Sequence, residues 1–197
     1  LVLRSLRERE DILDIYLNPL NWGATSWIIK ESEETEWFKS LMIKQAPSDY
    51  DMHVHVGIPN EFTAKAQYSV CVTAGIETTK ISPAWVQKTH EMGKIIVPSE
   101  FSKWVFENTK YDMQDQEGNT HNVGCGAPVQ VVHYPVTTLE KDNDFSIDLD
   151  HDFNFLMVAQ WGIRKNIPNT LLWFFEEFGD EEVGLVIKTN KAKNSYI

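Results

Sequence analysis

The chain has 197 residues, enough for one ordinary domain or one and a half smaller ones, and 42% hydrophobic content is ample for a packed core. No apolar run approaches the ~18 residues of a membrane-spanning helix, so the expectation is a soluble protein. Carboxylates outnumber Lys and Arg by 29 to 18, for a net charge of −11. That balance disfavours nonspecific nucleic-acid binding, which needs clustered cations. Two cysteines, Cys71 in an apolar run and Cys125 between two glycines, make no disulfide framework and read as buried thiols in a reducing cytoplasm.

Leu1 to Leu6 reads as the interior of a helix with no basic-then-apolar leader before it, so the chain is expected to start inside a domain. Ile12 to Leu17 follows as a strand stopped by Asn18-Pro19, and Trp22 to Trp27 as a loop. Ser32 caps a helix with an acidic first turn, Glu33 and Glu34, and an apolar face of Trp37, Phe38, Leu41 and Met42. Met52, Val54, Val56 and Ile58 alternate with His53, His55 and Gly57, the period of a strand, and Tyr68 to Thr73 is a second, fully apolar around Cys71. Ser82-Pro83 starts a helix that ends near Gly93. Lys94 to Val97 is a short buried strand, after which Ser99 caps a helix carrying Phe101, Trp104 and Val105.

Residues 111 to 126 are polar and aperiodic, a loop or hairpin excursion before the strand at Val129 to Val132. From 136 to 151 the composition shifts to Thr, Lys, Asn and Asp, including Asp142, Asp144, Asp148 and Asp150, as in a linker. Phe153 to Val158 then reads as a strand, Gly162 to Asn166 as a turn, Leu171 to Phe178 as a helix closed by Gly179, and Val183 to Ile187 as a second strand before a polar tail. The pattern predicts an α/β protein, a Rossmann-like parallel sheet with crossover helices over residues 1–135, a linker at 136–151, and the first β-α-β unit of a second Rossmann-like domain over 152–197. One such unit cannot cover both faces of a sheet, so this second domain is expected to be cut short.

Ligands of open α/β sheets bind beyond the carboxyl ends of the strands, which selects residues 57 to 61, 74 to 79, 98 to 100 and 160 to 166. In the last, Gly162, Arg164 and Lys165 lie between a strand and a helix N-terminus, where free N–H groups and the helix dipole favour an anion such as a diphosphate. Two solvated surface cations would look the same. Ser99, with Glu100 beside it, is either a plain N-cap or a ligand contact. Glu77 and Thr78 offer a carboxylate and a hydroxyl suited to a polyol, or a solvated loop. His53 and His55 share a face, and His121 lies four residues before Cys125. Neither pair has a third ligand at a recognisable spacing, so no metal site is expected. No P-loop, G-x-S-x-G, H-E-x-x-H or G-x-G-x-x-G motif occurs.

Four segments in order carry a family resemblance: Gly75-Ile-Glu77 through Pro83-Ala-Trp85, Ile95-Ile-Val-Pro-Ser99-Glu-Phe-Ser, Val131-Val-His-Tyr-Pro135, and Phe155-Leu-Met-Val-Ala-Gln-Trp-Gly-Ile-Arg-Lys165-Asn. Their order and spacing resemble the large retaining family of GT-B glycosyltransferases. The resemblance implies a GT-B N-terminal domain lacking its first strand, and the start of a donor-binding domain. It implies transfer of a sugar from a nucleotide-diphosphate sugar to a glycan or other sugar acceptor, with retention and without a metal or other cofactor. By the same resemblance Lys165 matches the donor-diphosphate lysine, Arg164, Gly162 and Lys188 would assist it, and Glu77, Thr78, Ser99 and Glu100 would line the acceptor side, Glu77 as the catalytic candidate. Gln160 stands where the family places an arginine, and Glu77 lies near where many members carry a histidine. A non-catalytic sugar- or nucleotide-binding module, or a degenerate transferase-like protein, accounts for the same sheet. The isolated 197 residues are expected to be inactive in turnover.

Overall fold

A computed structural model describes residues 2–20, 31–74, 76–136, 138, 140, 144 and 146–189. The expected loop from Trp22 to Trp27, Gly75, Asp142 of the expected linker and the polar tail from 190 to 197 lie outside the described residues. In chain order the elements are α1 (Val2–Arg7), α2 (Glu33–Ile43), β1 (Met52–Val56), β2 (Tyr68–Val72), α3 (Pro83–Thr89), β3 (Lys94–Val97), α4 (Glu100–Asn108), β4 (Tyr111–Gln114), β5 (Thr120–Val123), β6 (Val129–Val131), β7 (Phe153–Val158), α5 (Ile167–Phe178) and β8 (Val183–Lys188), with 3-10 turns at Pro59–Glu61 and Ile163–Lys165. They form two compact units, one of Leu1–Arg4 and Gln45–Thr138, the other of Ser5–Lys44 and Leu139–Ile197.

The first unit is an α/β layer compatible with a Rossmann-like fold. Its sheet runs β1-β2-β3-β6 with every neighbour parallel. The register aligns His55, Cys71, Ile95 and Val129 in one row, and alternation along each strand puts their side chains on one face. That face holds the core: Cys71, Ile95, Val97 and Val129 pack with Val86 of α3, Val105 and Phe106 of α4, and Phe62, Ile81 and Met92. Both helices therefore cover the same side. The opposite face leaves Met52, Val56 and Tyr68 exposed.

Local chemistry places the helices. Ser82 Oγ accepts from Trp85 N at 3.3 Å with Pro83 at the first helical position, and Ser99 Oγ accepts from Ser102 N at 3.1 Å. Two buried threonines tie helix ends to distant loops. Thr89 Oγ donates to Val86 O and accepts from Gly126 N at 2.8 Å; Thr109 Oγ donates to Val105 O and accepts from Ile81 N at 3.2 Å. The polar excursion of 111 to 126 is a hairpin, β4 against β5. Its turn is made by Asp115, which accepts from the N–H groups of Glu117 and Asn119, and by Gly118 at φ 86°, a left-handed conformation that glycine adopts without strain.

In the second unit α2 begins as read from the sequence, with a capping box between Ser32 and Thr35. The expected strand at Ile12 to Leu17 is not one. No ladder pairs this segment, Leu17 N instead donates to Leu41 O at the end of α2, and Lys44 holds Asp14. A short apolar run calls for burial but supplies no neighbouring strand, and here the segment lies along a helix end. The β7 and β8 strands pair in parallel around α5, with Phe155 against Phe174 and Phe178 at ring separations of 5.9 and 5.1 Å.

Replacing Phe106, fully buried among Val86, Val105 and Ile95, by Ala should lower the stability of the first unit by ~3–5 kcal/mol through lost burial and the cavity left behind. A urea titration followed by tryptophan fluorescence measures this. An effect below ~1 kcal/mol would mean that the helix layer is not packed as described.

Candidate functional site

Because β1, β2, β3 and β6 all run the same way, their carboxyl ends share one edge, where Gly57, Thr73, Pro98 and Val132 follow the four strands. The edge is knitted by backbone bonds: Gly57 N donates to Val72 O at 3.1 Å, Thr73 N to Ile96 O at 3.0 Å and Val132 N to Val97 O at 2.9 Å. His133 Nδ1 lies 3.0 Å from Pro98 O, joining the last two loops. Such an edge is where the fold presents loops free of core packing.

The sequence-derived residues at this edge differ in how their polar atoms are used. The Ser99 hydroxyl is committed to capping, since it accepts from Ser102 N and donates to Ser102 Oγ at 3.0 Å. Glu100 is exposed on the first turn of α4, where its charge complements the helix dipole. The Thr78 hydroxyl donates to Lys80 O at 2.7 Å, closing its own loop, and Glu77 is exposed in the same loop. Gly75 is outside the described residues, so the start of this resemblance segment carries no geometry.

The most unusual chemistry at the edge sits on β1 and β2. His55 is 7% exposed and Thr73 4%, and neither His55 Nε2 nor Thr73 Oγ has a hydrogen-bond partner among the described residues; His53 Nδ1 is a third such atom. An unpaired buried polar atom costs ~1–3 kcal/mol, so three close together are exceptional. The two imidazoles stand edge to face at 5.9 Å, and His55 also meets the Phe62 ring at 5.7 Å. Burial lowers the proton affinity of His53 most, followed by the charges of His55 and Lys65, while a backbone contact of Thr63 opposes them. Burial likewise lowers that of His55, with Glu61 opposing and Lys65 reinforcing. The sequence flagged the pair only as conceivable metal ligands. Among the described residues, no group of three or more His, Cys, Asp or Glu is placed to hold an ion. His121 is occupied elsewhere, 2.8 Å from Asp115 in the hairpin. Cys71 is buried with its thiol pushed up to about 12, an inert core residue.

A cavity of about 650 Å³ lies at the other edge of the sheet, between the residues leading into β1 and β2, and includes Asp49, Tyr50, Asp51 and Lys65. It is open and polar, and it lies at the amino ends of the strands, away from the edge where this fold concentrates ligand chemistry.

The second unit brings its own sequence-derived residues together. After β7 the chain passes through Gly162 into the 3-10 turn of Ile163, Arg164 and Lys165, then through Asn166, in left-handed conformation at φ 51°, into α5. Ala159 N donates to Lys188 O at 3.1 Å, so the end of β8 lies beside the start of this turn. Arg164, Lys165 and Lys188 thus occupy the carboxyl edge of one parallel strand pair. Lys165 and Lys188 are exposed, and neither forms an ion pair with a described residue. A Cβ on Gly162 would meet nothing within 4 Å among the described residues, so the space beside its Cα is open. Gln160 precedes the turn and is exposed. No protein-family model, curated protein or solved structure matches the chain.

Two measurements check these assignments. Ser99→Ala should cost ~1 kcal/mol of stability, as expected for a capping serine, and leave ligand binding unchanged. For the histidines, folding lowers proton affinity below the ordinary value of 6.5, so below that pH the unfolded chain binds more protons than the folded one. Stability should be full above ~pH 6.5 and fall progressively as pH drops below it, because the unfolded imidazoles take up protons first. His53→Gln with His55→Phe should flatten the urea midpoint across that window. An equally steep profile in the double variant would assign the pH dependence to other groups.

Proposed function

We propose that the chain is part of a GT-B glycosyltransferase, its second unit contributing to the site for a nucleotide-diphosphate sugar and its first unit to the acceptor side. The observation that supports this most is the gathering of Arg164, Lys165 and Lys188 at one edge of the β7–β8 pair, with α5 opening directly behind the turn. Three cations and a helix start suit an anion of two phosphate groups. Their chemistry at transfer would be electrostatic: Lys165 and Arg164 neutralise charge on the departing diphosphate, Lys188 bears on the nucleotide side, and the open space at Gly162 admits the phosphate oxygens. On the acceptor side, Glu77 is the carboxylate that would meet a sugar hydroxyl, whereas Thr78 and Ser99 serve through the shape of their loops because their hydroxyl protons are already used. The reading requires no metal ligand from this chain.

Calorimetric titration with UDP- and GDP-sugars tests it. Lys165→Ala should weaken donor binding by about tenfold or more, the usual consequence of removing a charged hydrogen-bond partner. Binding indifferent to Lys165→Ala and Arg164→Ala together would overturn the donor-site assignment.

A second reading, a sugar- or nucleotide-binding module without transfer, is favoured by Gln160 at the position where the resembled family has an arginine. It retains donor binding and lacks transfer to any acceptor by the full-length protein.

A further inference from the structure

The unpaired atoms at the carboxyl edge of β1 and β2 are arranged around a glycine. His55 and Cys71 are register partners, so the next same-face positions beyond them are Gly57 on β1 and Thr73 on β2. A Cβ on Gly57 would lie 2.9 Å from His55 Nε2, 3.2 Å from His55 Cδ2 and 3.6 Å from Glu61 Oε2. The imidazole edge therefore leans into the space that a side chain at position 57 would fill. The Glu61 carboxylate borders the same space from the 3-10 turn, and Thr73 stands beside it on the neighbouring strand. Two of these polar side chains are more than nine-tenths buried and unsatisfied. Phe62 backs the imidazole and fixes its plane.

The donor and acceptor pattern restricts what could complete the cluster. His55 Nε2 donates in one tautomer and accepts in the other, the Thr73 hydroxyl does both, and the Glu61 carboxylate only accepts. An anion is opposed by Glu61, whose carboxylate borders the space. For a metal ion, no group of three His, Cys, Asp or Glu is placed to hold it among the described residues. A neutral group that donates and accepts through the same atom fits all three. Adjacent hydroxyls of a sugar present two such atoms at a fixed separation.

We propose that His55, Thr73 and Glu61, gathered around Gly57, form a recognition subsite for the vicinal hydroxyls of a neutral sugar. One hydroxyl bonds His55 Nε2 and Thr73 Oγ, and its neighbour donates to Glu61. The two buried atoms are closed to solvent as they stand, so binding requires the side chains around Gly57 to move apart. The subsite rests on the acceptor-side reading of the first unit and specifies it, adding residues that neither the strand-end loop of Glu77 and Thr78 nor the cap at Ser99 contains.

The experiment is NMR on protein labelled with ¹⁵N-histidine, titrated with methyl glycosides of glucose, galactose and mannose, and with their deoxy analogues as controls. At least one glycoside should shift the His55 imidazole resonances saturably, and its deoxy analogue lacking one hydroxyl of the pair should bind about tenfold more weakly. Thr73→Val, close to isosteric, should weaken the glycoside by a similar factor. Gly57→Ala keeps both polar groups but places a methyl in the recess, and should abolish the His55 shift while the amide spectrum remains that of a folded chain. Absence of a saturable shift with every glycoside, or a shift unchanged in Gly57→Ala and Thr73→Val, would overturn the proposal. Donor binding is read separately through Lys165→Ala. A glycoside response at His55 together with donor binding indifferent to Lys165 leaves this subsite standing and removes the transferase reading; the reverse pattern removes the subsite alone.

Discussion

The parallel register of the four-stranded sheet is the constraint on which the first unit depends. Cys71, Ile95 and Val129 can share one core only if β2, β3 and β6 run the same way in that alignment. Parallel strands need crossovers, and α3 and α4 fill that role while covering the face that the alignment makes apolar. Once this is satisfied, the loops that leave the strands must emerge at one edge. The backbone bonds from Gly57, Thr73 and Val132 extend the ladder one residue past the strands and hold those exits in place. Core packing and the location of candidate chemistry thus stem from one alignment.

That edge also shows how differently the fold treats similar residues. Thr89 and Thr109 are completely buried, and each both donates and accepts, so their hydroxyls help bind helix ends to neighbouring loops. Thr73 is almost as buried and does neither. A valine there would keep the volume and remove the penalty of an unpaired hydroxyl. The same comparison applies to His55, whose ring meets Phe62 edge to face as a phenylalanine could while keeping a nitrogen without a partner among the described residues. A cost concentrated at two adjacent positions of the carboxyl edge, and absent from the threonines of the interior, is the pattern expected where stability is exchanged for a site.

Much of the architecture was legible in local chemistry. Ser32, Ser82 and Ser99 each cap the helix that their positions announced, and the alternation of Met52 to Val56 gave both the strand and the common face of His53 and His55. What failed depended on partners distant in sequence. Ile12 to Leu17 is a mostly apolar run stopped by Asn18-Pro19, but a strand also needs a neighbour, and this segment meets the end of α2. The candidate sites divide by the same principle. Arg164, Lys165 and Lys188 could be placed at strand ends from their spacing. That Thr78 and Ser99 had spent their hydroxyl protons on nearby atoms, or that Thr73 had not, depends on geometry that sequence does not carry. A histidine facing the core two residues before a glycine on the same strand was the available signal for His55.

On the proposed reading, an anion at the second unit would be held more by side chains than by the helix start. Pro168 removes one of the N–H groups that an α-helix ordinarily offers at its first turn, and Thr170 N is used on Asn166 O. Asn166 does not cap the helix; its side-chain oxygen accepts from Asn169 Nδ2 at 2.8 Å. The backbone donors left to a phosphate are therefore few, and Arg164, Lys165 and Lys188 supply the remaining attraction across an exposed edge. Exposed charges are screened over about 8 Å at physiological ionic strength. A diphosphate held this way would gain its selectivity from the spacing of three flexible cations, not from a rigid nest of amides, and ordering those side chains around it would itself be a cost of binding. The exposed apolar side chains of β7, Leu156 and Val158, project on the sheet face that Lys188 shares. A planar, partly apolar ligand moiety beside its phosphates would meet both characters on that one surface.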